Sequence, residues 1–294
     1  MARPLKTSSQ DSGNAASIKA QNRLKPGLYI VPTPIGNLKD ITLRGLEILQ
    51  NADLIACEDT RVTAKLLGHY QINKPLFSYR DEVEAKRAPA LIGKINSGKA
   101  VALVSDAGTP LIADPGFKLV ELCRRENIHI EALPGASALL SALILSGLPP
   151  LPFVFLGFIE PKARAKALRP FKNIPATLLC YESAQRLESF LKEAADILGD
   201  RNAAIARELS KKFEEVKSGR LQELAACYAT PPKGEIVVAI GPPDQEESHD
   251  VAALLQKALK KFSLKMAVEN VTAETGLPRR EIYQAALALR SDEK

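Results

Sequence analysis

The chain has 294 residues, 46% hydrophobic and 25% charged, the balance of a globular protein long enough for two cores. No apolar run approaches the roughly 20 residues needed to span a bilayer; the longest, residues 136–147, reads as a buried helix. Forty Lys and Arg against 34 Asp and Glu leave a net charge of +6, which admits a polyanionic partner without requiring one. Cys57, Cys123, Cys180 and Cys227 form no CxxC pair and the histidines are scattered. That pattern disfavours both a disulfide framework and a zinc site, and points to reduced core cysteines in a cytoplasmic protein.

Residues 1–26 are rich in Ser, Asn and Lys, lack an apolar period and read as a disordered tail. They are basic and poor in acids, like an organelle presequence, but show no arginine-rich amphipathic helix. Residues 28–31 form a short apolar strand, followed by the loop Pro32-Thr33-Pro34-Ile35-Gly36-Asn37. Asp40 is placed to cap the next helix, where Leu43, Leu46 and Leu49 recur on one face. A second strand, 53–57, closes on Glu58-Asp59-Thr60-Arg61, and a helix from 61 to 67 ends at Gly68. Residues 76–79 read as a third strand and 82–96 as a helix.

The apolar run 100–104 reads as a buried parallel strand. The tight segment after it carries Gly108, Pro110 and Pro115, with Asp114 placed to cap a helix starting at Pro115 and running through 126. Residues 128–133 make a fifth strand, and Pro134-Gly135 lead into the helix 136–147. Strand, polar loop and helix alternate about five times, which argues a mainly parallel sheet with helices on both faces.

Three prolines among residues 148–152 mark a boundary, since they suit neither a helix interior nor a central strand. Beyond it, strands are expected at 153–158, 176–181, 203–207 and 235–240, with helices at 184–198 and 221–228, in a smaller, mixed sheet. A polar linker, 244–250, precedes purely helical signals. Residues 265–275, a turn at Gly276-Leu277-Pro278 and residues 279–289 have helix-turn-helix spacing, with Ala267, Val271, Ile282 and Leu287 where such a pair packs. The expected organisation is a tail (1–26), an α/β domain (27–150), a second α/β domain (151–243) and a helical segment (244–294). Two basic clusters stand out: Lys162, Arg164, Lys166, Arg169 and Lys172; and Lys257, Lys260, Lys261 and Lys265, followed by Arg279-Arg280. Both read as phosphate contacts or as solvated helix faces.

No GxGxxG follows the first strand, and neither GxxxxGK[ST] nor GxSxG is present. A dinucleotide site, a P-loop NTPase and a nucleophile elbow are therefore disfavoured. Instead, polar loops with Gly or Pro recur at strand ends: 33–37, 58–61, 106–110 and 134–137. Each alone is a turn; four at one edge of an open α/β sheet, where ligands bind, point to a site.

PTPIGNL (32–38), EDTR (58–61), VSDAGTPLIADPG (104–116), PGASAL (134–139), YES (181–183) and ARELSKKFEE (206–215) together resemble the tetrapyrrole-methylase superfamily. More narrowly, they resemble its ribosomal RNA small subunit methyltransferase I branch, in register from about residue 28 to 240. The resemblance implies a two-domain α/β enzyme, usually a homodimer, with S-adenosylmethionine in the cleft between the domains. It implies 2′-O-methylation of a cytidine ribose in the decoding region of small-subunit (16S) rRNA. The superfamily's Gly-Asp-Pro cofactor loop reads Gly108-Thr109-Pro110 here, so its acidic contact is missing. The expected cofactor contacts are Pro34, Gly36 and Asn37; Ala107, Gly108, Thr109, Pro110 and Ile112; Ala136 and Ser137; and Tyr181 and Leu209 from the second domain.

A ribose hydroxyl is a poor nucleophile until its proton leaves, so a general base or a cation beside the oxyanion is expected. Glu58, Asp59 and Asp106 are the candidate bases and Arg61 the candidate cation; alternatively, Asp59 pairs with Arg61 and Asp106 caps its own loop. No metal is needed. Two other readings compete: a tetrapyrrole methyltransferase on the same scaffold, and a non-catalytic nucleic-acid-binding protein.

Overall fold

A computed structural model describes residues 23–244, 251–275 and 278–292. The alternating apolar segments of the first half pair as one parallel sheet. Its strands are β1 (Gly27–Ile30), β2 (Leu54–Cys57), β3 (Leu76–Ser78), β4 (Ala100–Val104) and β5 (Ile130–Ala132), in the order β3-β2-β4-β1-β5. β4 lies at the centre and is buried along its whole length, as its unbroken apolar run requires.

Side chains alternate across a strand. Tyr29 and Val31 therefore face α1 (Leu43–Asn51) and α2 (Thr60–His69), packing with Leu49, Ile55 and Leu67. Leu28 and Ile30 face α3 (Glu84–Asn96) and α4 (Phe117–Arg125), packing with Leu91, Ile95 and Leu119. Both faces are covered, as expected.

The second sheet comprises β6 (Phe153–Phe158), β7 (Thr177–Glu182), β8 (Asn202–Arg207), β9 (Glu215–Arg220) and β10 (Ile236–Ile240), in the order β6-β7-β10-β8-β9. Only β6–β7 is parallel; the other pairs are antiparallel, so the sheet is mixed. α6 (Arg164–Leu168), α7 (Leu187–Leu198) and α8 (Leu221–Cys227) cover one face through Leu168, Phe190, Leu191 and Leu224. The other face receives α5 (Ala138–Leu145), whose Leu139, Ala142 and Leu143 pack on Leu179, Ala204 and Val237. This helix precedes the prolines in sequence, yet it packs on the second sheet.

α9 (Val251–Leu259), α10 (Leu264–Thr275) and α11 (Arg279–Asp292) share a small core of Leu255, Val268, Val271, Ile282 and Ala286. Ala267, Val271 and Ile282 are buried as expected, whereas Leu287 is 45% exposed and its neighbour Ala286 takes the inward position. Gly276 and Leu277 of the expected turn lie outside the described residues, as do residues 1–22 of the tail and 245–250 of the linker. The four cysteines are unpaired and three of them are buried.

Several local expectations are corrected. Leu24 packs against the first core and Lys25 accepts the Tyr29 hydroxyl on its carbonyl, so residues 23–26 are ordered against the sheet. Thr42, not Asp40, caps α1, accepting the Gly45 amide at 2.9 Å; Asp40 ends a 3-10 turn capped by Asn37. α2 runs through Gly68 to His69, because nothing at that exposed position forces a left-handed angle. α4 begins at Phe117, after Gly116 at φ 139°, and Asp114 does not cap it. Instead Glu84 Oε1 accepts the Gly116 and Lys118 amides at 2.9 and 3.0 Å and the Tyr79 hydroxyl at 3.2 Å. Strand β9, with sequence EVKSGR, carries no apolar alternation; it is an edge strand held by backbone pairing to β8.

Candidate functional site

A cavity of about 600 Å³ lies between the carboxyl end of the first sheet and the second sheet. One wall is built by Ile35 after β1, by Asp106–Thr109 and Ile112–Asp114 after β4, and by Ser137-Ala138. The facing wall is Phe158, the segment Tyr181–Gln185, Ala206, Leu209 and the run from Pro232 to Val237 entering β10.

The wall after β4 has a cross-linked backbone. Thr33 and Gly108 exchange amide–carbonyl bonds of 2.8 and 3.0 Å, the Thr33 hydroxyl donates to the Ser105 carbonyl at 3.1 Å, and the Ser105 hydroxyl donates to the Gly108 carbonyl at 3.1 Å. Gly108 has φ +83°, a left-handed angle that glycine adopts without penalty. The Thr109 hydroxyl donates to the Ala136 carbonyl at 2.9 Å, tying this loop to the one before α5. Leu111 and Ala113 also have positive φ, 72° and 65°; such backbone strain clusters where ligands are held.

Four carboxyls gather at this edge. Asp106 Oδ1 accepts the Asp59 amide at 3.1 Å. Burial, followed by the charges of Asp106, Asp81 and Glu82, pushes the Glu58 carboxyl up. Asp114 is pushed up to about 7 by burial and then by Glu58, Asp106 and Asp81, with the Ser105 hydroxyl opposing. Asp59 goes the other way. The Arg61 guanidinium donates to it at 2.6 and 3.0 Å and the Arg61 amide at 2.8 Å, which hold it far below the usual carboxylate range.

Of the sequence-predicted residues, Asp106, Ala107, Gly108, Thr109, Ile112, Ser137, Tyr181 and Leu209 line the cavity. Glu58, Asp59 and Arg61 stand outside its lining, as do Pro34, Gly36, Asn37, Pro110 and Ala136. Asp59 and Arg61 pair with one another at the start of α2. Gly36 serves closure between the lobes: a Cβ there would lie 2.9 Å from the Leu209 carbonyl oxygen and 2.4 Å from Lys211 Cγ. Beside it the Ser210 hydroxyl bonds Asp40, and Lys211 Nζ holds Glu208 and Glu235 at 2.9 Å each.

Sequence reasoning missed Asp114, which it assigned to a helix cap, and Phe158, which looked like an ordinary strand aromatic. It also missed the wall at Glu182, which accepts from Arg164 at 3.1 Å, Arg186 Nε at 2.9 Å and the Ser183 amide at 2.7 Å. Arg164 therefore leaves the basic cluster to which it seemed to belong; it is 1% exposed. Among the described residues no cluster of His, Cys, Asp and Glu is arranged to hold a metal ion, and no helix is long and apolar enough to cross a membrane.

The sequence model of the tetrapyrrole (corrin/porphyrin) methylases matches residues 27–225, and that of the RsmI C-terminal HTH domain matches residues 245–290. A "Ribosomal RNA small subunit methyltransferase I" of Mesorhizobium japonicum is 43% identical over 274 residues, covering 91% of this chain and 93% of its own. The protein of that name from Escherichia coli O157:H7 is 43% identical over 269 residues, covering 88% and 94%. Among solved structures, a diphthine synthase superposes with TM-score 0.59 at 19% identity, covering 73% of this chain and 89% of its own. Uroporphyrin-III C-methyl transferase from Thermus thermophilus, complexed with S-adenosyl homocysteine, superposes with TM-score 0.52 at 20% identity, covering 72% and 96%. These two likenesses concern the fold. The family match covers the first sheet and the second through β9, and the relatives match almost end to end: the chain belongs to the tetrapyrrole (corrin/porphyrin) methylase family, in its ribosomal RNA small subunit methyltransferase I group.

Proposed function

We propose that the chain transfers a methyl group from S-adenosylmethionine to the 2′-hydroxyl of a cytidine in small-subunit (16S) ribosomal RNA, working in the cytoplasm as a homodimer. One observation carries this reading. A glycine-centred, cross-linked loop at the end of the central strand faces the second sheet across a cavity of ligand size, in a chain whose relatives bear an rRNA methyltransferase name along nearly their whole length.

The lining fits the cofactor. Glu182 is already paired with Arg164 and Arg186, and Glu235 with Lys211; Asp106 and Asp114 remain on the lining beside one lysine, Lys233, a balance that favours a cationic guest. Ile35, Ile112, Leu209 and Val237 supply apolar wall, while Gly108, its amide and carbonyl both bonded to Thr33, adds no side chain to crowd the cavity. When bound, S-adenosylmethionine supplies an electrophilic methyl group on a sulfonium sulfur. The protein's part is to hold the acceptor oxygen in line with that methyl and to receive its proton.

Asp106 and Asp114 are the carboxyls on the first-sheet wall. Burial, and then the charges of Glu58, Asp106 and Asp81, raise the affinity of Asp114 for a proton to about 7. The Asp59 amide orients Asp106, and the charge of Glu58 adds to the proton affinity of Asp114. Asp106→Asn should lower turnover by about two orders of magnitude while cofactor binding persists.

The exposed Leu140, Ile144 and Leu145 of α5, with Leu151 beyond, favour burial against a second copy. Lys257, Lys260, Lys261, Lys265, Arg279 and Arg280 are exposed on the helical segment and suit phosphate contact. The decisive experiment supplies methyl-labelled S-adenosylmethionine with small subunits or naked rRNA and maps the label by mass spectrometry. Cofactor binding without label in either RNA refutes the proposal; label on a ribose oxygen of cytidine supports it.

A further inference from the structure

β6 is an edge strand, and its pairing with β7 slips register between Phe155 and Phe158, with Gly157 at φ 63°. A bulge of this kind re-aims the side chain that follows it. The re-aimed residue is Phe158, 59% exposed and part of the cavity wall. Its ring tilts onto Tyr181 at 5.2 Å between centroids, and Tyr181 in turn meets Phe155 edge-on at 5.0 Å. The outcome is an aromatic shelf, backed on one side and open on the other, in the cavity wall that faces Asp114.

The chain leaves this shelf through a basic segment rooted in the same wall. Arg164 binds Glu182 at 3.1 Å, Glu193 at 2.8 Å and Ser189 at 3.2 Å, and lies over the Phe190 ring at 5.3 Å. A charge is buried this deeply only where it is paired. Lys162, Lys166 and Arg169 lie along one short helical stretch, a 3-10 turn, α6 and a second 3-10 turn over residues 161–171, and all three are exposed.

Resting on the methyltransferase reading above, we infer that Phe158 stacks the base of the acceptor nucleotide, presented in single-stranded RNA, and that Lys162, Lys166 and Arg169 grip the phosphates beside it. Sequence-specific RNA recognition targets unstacked bases in loops and single strands. Single-stranded RNA is held by aromatic faces under its bases and by cations along its backbone. Both elements stand here on one short stretch, and stacking the base on Phe158 directs its ribose toward the carboxyls of the facing wall.

The test compares the full-length protein with Phe158→Ala, Phe158→Trp and the double variant Lys162→Glu/Lys166→Glu. Three measurements are made: ribose methylation of small subunits, calorimetric binding of S-adenosylhomocysteine, and sedimentation. Phe158→Ala should lower kcat/KM roughly ten- to a hundredfold, the scale of one lost base stack, with S-adenosylhomocysteine affinity within about twofold and an unchanged oligomeric state. Phe158→Trp should restore most of the rate. The double charge reversal should raise KM and weaken its salt dependence. Tenfold weaker S-adenosylhomocysteine binding in Phe158→Ala would instead assign the ring to the cofactor, and a change in sedimentation would assign it to a subunit contact; either overturns the inference, as does undiminished methylation. Failure of the unaltered protein to methylate small subunits removes the methyltransferase reading itself, and this inference with it.

Discussion

Replacing Glu84 with alanine should be among the most damaging single changes outside the cavity. Its carboxylate, 7% exposed at the start of α3, receives the Gly116 and Lys118 amides and the Tyr79 hydroxyl on one oxygen. Tyr79 and Gly116 are themselves buried, whereas water can reach Lys118. Glu84→Ala thus strands two buried donors at about 1–3 kcal/mol each. It also removes an anion from the N-terminus of α4, about 0.5 kcal/mol more; the sum is roughly 4 kcal/mol. Glu84→Gln keeps an acceptor oxygen in place and should lose only about 1 kcal/mol, the difference between a charged and a neutral acceptor. Urea unfolding followed by two probes gives both values, provided the slope m stays constant. Gly116 ends the loop that holds Asp114, so Glu84→Ala should also weaken S-adenosylhomocysteine binding. A loss below about 1 kcal/mol in Glu84→Ala, or equal losses in the two variants, would refute the capping argument.

Three further outcomes are expected. Asp114 takes up its proton near pH 7 in the folded chain, against the ordinary aspartate value of 3.8. Between those values the folded state binds more protons than the unfolded one, so this group's contribution to stability falls as pH rises. Asp114→Asn should therefore stabilise the protein at pH 8 relative to wild type and do little at pH 4, as measured by urea unfolding at both. Gly108→Ala and Gly147→Ala both force a side chain into a positive φ, +83° and +70°, costing about 1–2 kcal/mol each. Only Gly108→Ala should also weaken S-adenosylhomocysteine binding, because Gly147 is outside the cavity lining; equal binding losses in calorimetry would contradict this. Lys257→Glu combined with Lys261→Glu should weaken rRNA binding and reduce its salt slope by about 2. An unchanged slope in filter binding would discard that surface.

The central strand was legible because its cause is local: five consecutive apolar residues between polar loops have no face to offer water. Gly108 was legible for a similar reason, as a glycine in a short loop at a strand end. Asp114 was misread because its neighbours, Pro115 and a following amphipathic run, make a convincing helix start. The cap is supplied instead by Glu84, brought there by the packing of α3 against α4. Arg164 was misread for a like reason: its sequence neighbours are basic and exposed, but its side chain meets Glu182, 18 residues on.

By itself, then, the amino-acid sequence determined the alternation of strand and helix, the loops at the strand ends and the motifs that mark the family, because these depend on near neighbours and on residue order. Only the tertiary structure decided which carboxyls face the cavity, that Arg164 is buried, that α5 packs on the second sheet and that Phe158 turns toward the cleft. Those outcomes depend on charges and rings that meet across the order β3-β2-β4-β1-β5 and its facing sheet, at separations over which the chain carries no local signal.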